Sequence, residues 1–152
     1  MKYINNKKVG IEYKIRKGAY AILKRNEDEK IGIVTDGVYF FLGGGVEEKE
    51  TEIEALKREL IEETGYTIKN IVEFDEIGQY IFEKNKDGYM ELCNYVYLAE
   101  LDEKIIEPIE KDHVVLWIEP EDYVGKMYYE WQEYILERYI SMNNNYLHNN
   151  KT

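Results

Sequence analysis

Residues 44–66 decide the fold of this chain, and they read GGVEEKETEIEALKRELIEETGY. Glu59, Glu62 and Glu63 have i, i+3 and i+4 spacing, so on an α-helix they share a face roughly 100° wide. Like charges at this spacing destabilise an isolated helix unless a cation lies between them. The pattern therefore presents two alternatives, a divalent metal site or a solvated acidic face.

A solvated face would place a basic residue four positions after each glutamate, and this stretch does not supply them. Arg58 directly precedes Glu59, so its side chain is expected to point about 100° away from that carboxylate. On spacing alone both alternatives stay open.

Local signals predict where the helix begins and ends. Thr51 and Glu54 have the spacing of a capping box, which places the helix start near Glu52. Gly65 is typical of a helix C-terminus. One apolar stripe recurs at helical spacing and is expected to be buried: Ile53, Leu56 and Leu60. The acidic face is then expected to point away from the core.

Three glycines, Gly43, Gly44 and Gly45, follow the apolar run 38–42 and precede the helix. A strand, a glycine-rich loop and a helix in this order let backbone groups approach an anion closely. The order favours a phosphate-bearing ligand.

The stretch resembles the signature of the Nudix hydrolases, G-x5-E-x7-R-E-U-x-E-E-x-G-U with U an aliphatic residue. Eight specified positions fall in register: Gly44, Glu50, Arg58, Glu59, Leu60, Glu62, Glu63 and Gly65. Tyr66 departs from the pattern at the last aliphatic position, where its ring can still pack. Eight positions at fixed spacing make this resemblance far more specific than a glycine pattern alone.

The resemblance implies the Nudix fold, a mixed β-sheet between helices (α/β/α), where periodicity alone predicts only the α+β class. It also implies Mg²⁺-dependent hydrolysis of a diphosphate bond by an activated water, with Mn²⁺ as a substitute. The expected substrate is a nucleoside diphosphate or triphosphate, or another nucleoside diphosphate linked to a group X. Two alternatives are a Nudix-fold module that binds a nucleotide without turnover and an acidic interaction protein with no small-molecule site.

Family resemblance assigns roles to individual residues. Glu59, Glu62 and Glu63 are the expected metal ligands, with the Gly44 carbonyl as an addition. Arg58 resembles the residue that pairs with Glu50 and holds the ligand helix against its loop. The candidates for binding substrate lie in the glycine loop and near the first strand: Gly43, Gly44, Gly45, Arg16 and Lys17.

The general base is open between Glu59 and a carboxylate in the later segment 105–117, IIEPIEKDHVVLW. Glu107 and Glu110 are the loop candidates, and Glu110 is preferred because of its distance before the strand that ends near Trp117. A solvated loop carboxylate is an equal alternative for either residue. His113 fits a structural role better than a catalytic one.

Composition bounds the remaining possibilities. A chain of 152 residues predicts one domain over 1–152, with a frayed polar tail from about residue 143. The net charge of −11 opposes binding to long nucleic acid and leaves a small phosphorylated nucleotide derivative as the partner. No segment resembles a signal peptide or a membrane span, and the single cysteine, Cys93, fits a reducing compartment. We therefore expect a cytoplasmic monomer or homodimer.

Periodicity and turn signals also predict the order of elements. A first strand is expected over 16–23, and a hairpin joins 31–34 to 38–42 across Asp36 and Gly37. Further strands are expected over 66–74, 77–84, 89–101 and 114–118, with a helix opening at 119–122. The terminal helix is expected over 127–142, with a packed stripe of Trp131, Ile135, Tyr139 and Met142.

Overall fold

The computed structural model describes residues 1–85, 88–109 and 114–149. Within them, eight strands form one sheet: Lys2–Tyr3 (β1), Lys14–Lys24 (β2), Ile31–Thr35 (β3), Tyr39–Phe40 (β4), Leu42–Gly45 (β5), Tyr66–Glu83 (β6), Gly88–Lys104 (β7) and Val114–Ile118 (β8). The helices are Glu52–Thr64 (α1) and Glu130–Asn149 (α2), and a 3₁₀ turn spans Pro120–Tyr123.

The sheet is mixed, with strand order β1-β6-β7-β2-β3-β4. Parallel pairing joins β1 to β6 and β2 to β7, and the other pairs are antiparallel. Strand β5 pairs with β2 in the register Gly18 to Gly45 and Ala19 to Gly44. The three glycines that were expected to form a loop, Gly43, Gly44 and Gly45, therefore lie in strand β5, paired with β2. We keep the name glycine loop for this glycine segment, which leads through residues 46–51 into α1.

The sheet separates two apolar clusters, so each face packs against one helix. Alternation along β2 sends Ala19, Ala21 and Leu23 to one cluster and Tyr20 and Ile22 to the other. Helix α1 completes the first cluster, on what we call the α1 face, with Ala55, Leu56 and Leu60. Helix α2 completes the second, on the α2 face, with Trp131, Ile135, Leu136 and Tyr139. The predicted α+β fold with a mixed sheet between helices is confirmed.

The predicted hairpin is confirmed only in its first residues. Val34 pairs with Phe40 and Thr35 with Tyr39 across the Asp36-Gly37 turn. From Leu42 onward the chain pairs with β2 instead of β3. A hairpin signal describes the turn, whereas the partner of the returning strand depends on the whole sheet.

Several predicted boundaries differ from the observed ones. The region 66–83 is one strand with register shifts against β7, where the sequence predicted two strands. The predicted helix opening at 119–122 is the 3₁₀ turn, and α2 begins later, at Glu130, and continues through Asn149. Met142 is 51% exposed, so the packed stripe of α2 ends at Tyr139. No helix in the described residues has both the length and the apolar character to cross a membrane.

Candidate active site

Helix α1 is fixed at both ends by the predicted signals. The Thr51 hydroxyl accepts from the Glu54 backbone N–H at 3.1 Å, and the Glu54 carboxylate accepts from the Thr51 N–H at 3.2 Å. Gly65 closes the helix with φ of 78°, and its N–H donates to the Ile61 carbonyl at 2.8 Å. The capping box and the glycine cap set the register of the acidic face.

Arg58 ties α1 to the loop before it, as the resemblance implies. Its Nε donates to Glu50 at 2.7 Å and its Nη2 to the other Glu50 oxygen at 3.0 Å, a forked pair. The same Nη2 donates to the Gly45 carbonyl at 3.0 Å. The Arg58 hydrogen bond is the largest cause of the lowered pKa of Glu50.

Arg58 also reaches two carboxylates of the acidic face, although its side chain was expected to point about 100° away from Glu59. Its Nη1 lies 3.0 Å from Glu59 Oε1 and 3.5 Å from Glu62 Oε2. The expectation that Arg58 points away from the acidic face is therefore wrong. A helical angle of 100° describes the Cα–Cβ direction, and a long arginine side chain bends back across it.

The glycine loop receives two of the three carboxylates. A Cβ on Gly44 would lie 2.6 Å from the Glu59 carboxyl group, so only a glycine allows this approach. Glu63 Oε1 accepts from the Gly43 backbone N–H at 2.8 Å, and Glu63 is only 5% exposed. The expected outward orientation of the acidic face thus fails at Glu63, because a partner in the loop allows the carboxylate to be buried.

The apolar stripe of α1 is also shorter than expected. Leu56 and Leu60 are fully buried, whereas Ile53 is 39% exposed. Ile53 lies in the first turn, where the helix has just left the loop. The core contact of α1 therefore begins one turn later than its apolar pattern.

The donor set suits a hard divalent cation. Glu59, Glu62 and Glu63 supply carboxylate oxygens, and Mg²⁺ prefers oxygen ligands of this kind. Gly44, the expected source of a further carbonyl ligand, lies against the Glu59 carboxyl group. The side chains of Glu59 and Glu62 are 15% and 31% exposed, so one edge of the group meets solvent. Within the part of the chain that the structure describes, no three acidic, histidine or cysteine side chains converge closely enough to hold a metal. Arg58 and the Gly43 N–H instead engage these carboxylates.

The two candidate cations of β2 lie on opposite faces of the sheet. Arg16 Nε lies 3.7 Å from the position of a Cβ on Gly45, at the edge of the glycine loop. Lys17 forms an ion pair of 2.7 Å with Glu52 on the α1 face, and this hydrogen bond raises the pKa of Lys17. Adjacent residues of a strand point to opposite faces, so only Arg16 shares the face of Tyr20.

The later acidic segment docks on the end of α1. The Ile105 N–H donates to the Gly65 carbonyl at 2.9 Å, and the Ile109 N–H donates to the Glu62 carbonyl at 3.0 Å. Glu107 pairs with Lys104 at 2.9 Å and its side chain is 82% exposed, as expected of a solvated loop residue. Glu110 and His113 lie outside the described residues.

Sequence reasoning missed a second polar group near the loop. The Tyr129 hydroxyl donates to Glu83 Oε1 at 2.9 Å, joining the residue before α2 to the last residue of β6. These residues are 46 positions apart, and no local spacing connects them. Only the general abundance of tyrosine in this chain hinted at such contacts.

Known proteins share both the sequence family and the fold. A family model described as the NUDIX domain matches residues 15–139. The Arabidopsis thaliana protein "Nudix hydrolase 13, mitochondrial" is 29% identical over 108 residues, which cover 66% of this chain and 52% of that protein. This chain thus spans about half the length of that curated relative.

Solved structures agree with the family match in fold. A structure from a study of MutT from Aliivibrio salmonicida and Vibrio cholerae superposes with a TM-score of 0.63 at 21% identity, over 83% of this chain and 96% of that one. A NUDIX hydrolase from Nitrosomonas europaea superposes with a TM-score of 0.67 at 15% identity, over 84% and 90%. Since the family model matches well over half of its residues, the chain belongs to the Nudix hydrolase family.

Proposed function

We propose that this chain is an Mg²⁺-dependent hydrolase that cleaves a diphosphate bond in a nucleoside diphosphate or triphosphate, or in another nucleoside diphosphate linked to a group X. Nudix hydrolases generally use divalent metal ions and act on small nucleotide derivatives. One observation carries the proposal: Arg58 fixes α1 against the glycine loop, and this places Glu59 against Gly44 and Glu63 on the Gly43 N–H.

Glu59, Glu62 and Glu63 would hold the metal, with the Gly44 carbonyl as a further ligand and Mn²⁺ as a substitute for Mg²⁺. The bound cation would acidify the attacking water and neutralise charge on the phosphate oxygens. Three carboxylates on a protein of net charge −11 oppose an anionic substrate unless such a charge lies between them.

Arg58 and Glu50 act by positioning. Their forked pair leaves the arginine little freedom, so the carboxylates of α1 stay in register with the glycine loop. Arg58 also lies beside Glu59 and Glu62, where its charge reduces their mutual repulsion before a metal binds.

Arg16 is the cation that we assign to the substrate phosphates. It borders Gly45, and the glycine loop lets a phosphate approach the backbone without a side chain in the way. Lys17 is paired with Glu52 on the other face, which favours a structural role for that lysine.

The proton acceptor is a carboxylate of this site or of the segment beyond it. The exposed pair of Glu107 with Lys104 disfavours Glu107. Glu59 and Glu110 remain the candidates, and Ile109, the described residue before Glu110, donates its N–H to the Glu62 carbonyl. A pH–rate profile of Glu59→Gln and Glu110→Gln separates them, because loss of the base removes the acidic limb of the profile.

The test is a release assay for orthophosphate and pyrophosphate over nucleoside triphosphates, nucleotide sugars, dinucleoside polyphosphates and ADP-ribose. Each substrate is tried with Mg²⁺, Mn²⁺ or EDTA, and ¹⁸O-labelled water identifies the phosphorus that is attacked. Loss of turnover in Glu62→Gln shows that the activity does not come from a contaminating enzyme. Glu48 is an exposed residue of the segment before α1, so Glu48→Gln is the matched charge control. The proposal fails if no substrate is cleaved with either metal, or if Glu62→Gln retains full turnover.

A further inference from the structure

A cavity of about 520 Å³ lies where strands β6 and β7 meet the first residue of α1, and we call it the Tyr97 cavity. Its polar lining consists of four carboxylates and two tyrosines: Glu52, Glu73, Asp75, Glu76, Tyr95 and Tyr97. None of these residues is a specified position of the signature or a candidate metal ligand. The cavity is therefore separate in its residues from the candidate active site.

An irregularity in β6 brings two of the carboxylates to the same face of the sheet. Residues three apart in a regular strand point to opposite faces. A register shift after Glu73 breaks this alternation, so that Glu73 pairs with Tyr97 and Glu76 pairs with Tyr95. Both tyrosines pack against the α1-face cluster, and directly paired residues share a face. Glu73 and Glu76 therefore both enter the cavity from the α1 face.

Two of the four carboxylates already have basic partners. Glu52 forms an ion pair of 2.7 Å with Lys17, and Asp75 pairs with Arg138. Among the described residues, the carboxylates of Glu73 and Glu76 have neither an ion pair nor a hydrogen bond. The cavity thus keeps two uncompensated negative charges on a protein whose net charge is −11. Such a site attracts a ligand with at least two positive groups.

The side chain of Lys17 shows which kind of cation this wall accepts. Its ammonium group lies 5.3 Å from the ring centroid of Tyr95 while it pairs with Glu52. Aromatic faces attract ammonium groups, and methylene chains pack on apolar surface. Phe74 and Val96 add apolar surface to the lining of the cavity. A primary ammonium group on an aliphatic chain therefore fits this wall.

Tyr97 presents a hydroxyl without a partner to this cavity. Its side chain lines the cavity and is only 6% exposed. Its pKa is raised first by burial and then by the charges of Glu52, Glu73 and Glu76, so the hydroxyl faces these carboxylates. No residue in the described ranges forms a hydrogen bond with it. Because buried hydroxyls normally have a partner, this oxygen is available to accept from an N–H of a ligand.

A metal ion fits the cavity less well than an organic cation. Mg²⁺ requires oxygen ligands arranged around one point. In the part of the chain that the structure describes, no three acidic, histidine or cysteine side chains converge in this way. Glu73 and Glu76 belong to separate cross-strand pairs, so their charges are spread along β6. Two ammonium groups joined by methylene groups match this spread.

We propose that the Tyr97 cavity binds a linear polyamine. One ammonium group pairs with Glu73 and donates to the Tyr97 hydroxyl, and a second pairs with Glu76. The methylene chain between them packs on the apolar part of the wall. This inference goes beyond the proposed function and does not depend on it, because these residues take no part in diphosphate hydrolysis.

The test is isothermal titration calorimetry with spermidine in metal-free buffer at about 0.1 M NaCl, where charges on the distant surface are largely screened. We expect the wild type to show one saturable site. Tyr97→Phe should weaken binding about tenfold, because it removes one hydrogen bond to a charged group and keeps the ring. Glu73→Gln and Glu76→Gln should each weaken binding about threefold, the usual effect of an exposed ion pair.

Glu48→Gln is the matched control, because it removes the same charge from an exposed position outside the cavity. It should bind spermidine as the wild type does, and thermal melts without ligand verify that every variant is folded. Three outcomes would each overturn the inference: no saturable binding by the wild type, an unchanged affinity in Tyr97→Phe, or an equal loss in Glu48→Gln and Glu73→Gln. Binding of Mg²⁺ that is lost in the same variants would also overturn it. The release assay uses other residues, so its result leaves these measurements unaffected.

Discussion

The two sides of the candidate site are built over very different distances in sequence. On the α1 side, Thr51 and Glu54 are 3 residues apart and Glu50 and Arg58 are 8 apart. On the α2 side, Glu83 and Tyr129 are 46 residues apart, and the backbone N–H of Trp131 donates to the side chain of Gln79, which is 52 residues away. The α1 side therefore depends on local geometry, and the α2 side exists only after the sheet has formed.

This difference suggests a division of labour. Closely spaced charged groups form a rigid unit that can serve the same reaction in many proteins of one fold. Contacts between distant segments depend on the assembled sheet, so they change more readily with the surrounding sequence. Variants of the α1 carboxylates should then change turnover, whereas variants of the apolar contacts and caps should change stability.

The largest expected effect is that of Glu62→Gln. If Glu62 is the charged ligand that we propose, its removal should lower kcat on the order of 100- to 1,000-fold, the usual loss when a group that stabilises the transition state is removed. Glu62 is partly exposed, so the free energy of unfolding should change by less than about 0.5 kcal/mol. Stopped assays measure kcat, and denaturant unfolding measures the free energy of unfolding.

Metal addition sharpens this prediction. Mg²⁺ that binds only the folded state raises the melting temperature of the wild type. The rise should be much smaller in Glu62→Gln and unchanged in Glu48→Gln. Equal stabilisation of all three proteins by Mg²⁺ would place the metal elsewhere.

The second effect concerns the end of α1. Gly65 has φ of 78°, and a Cβ there would lie 2.1 Å from the Ile106 carbonyl oxygen. Gly65→Ala should cost about 2–5 kcal/mol, the sum of left-handed strain and a displaced backbone. Denaturant unfolding measures this loss.

Gly125 provides the matched control, because its φ is 71° but no atom lies within 4 Å of an added Cβ. Gly125→Ala should cost only the strain, about 1–2 kcal/mol. If the two variants lose the same free energy of unfolding, the contact of Gly65 with the segment after β7 contributes nothing to stability.

The third effect is a pH dependence on the α1 side. The Arg58 hydrogen bond lowers the pKa of Glu50 below its unfolded value, so its stabilisation is complete above about pH 4.3 and is lost as the pH falls through the folded pKa. Glu50→Gln should therefore melt below the wild type at pH 7, and the difference should close in acid. A difference that stays constant down to pH 3 would contradict the ion pair.

Local signals predicted the α1 side well because its determinants lie within a few turns. The capping box and the Gly65 cap depend on spacing along one helix, whereas the pairing of Arg58 with Glu50 was implied by the family resemblance. Prediction from the sequence failed where the burial of a side chain depends on a partner far away in the chain. Glu63 is buried because the Gly43 N–H, 20 residues earlier, donates a hydrogen bond to its carboxylate.

The same limit explains the errors in the sheet. Nothing near residues 42–45 indicates that they leave β3 and pair with β2, since the register is set by the assembled sheet. Strand β1 has only two residues, Lys2 and Tyr3, which is too short for an alternating pattern. The hydrogen bond of Tyr129 with Glu83 lies beyond local prediction for the same reason.

The smallest expected effect tests where the core contact of α1 begins. Ile53→Val and Ile135→Val remove the same methylene group, but Ile53 is 39% exposed whereas Ile135 of α2 is fully buried. Ile135→Val should cost about 0.5–1.5 kcal/mol, the usual cost of this change in a core. Ile53→Val should cost less than about 0.5 kcal/mol, since little apolar surface is lost from contact. Equal losses in denaturant unfolding would mean that Ile53 packs as its helical spacing predicts, and that the buried stripe of α1 extends to its first turn.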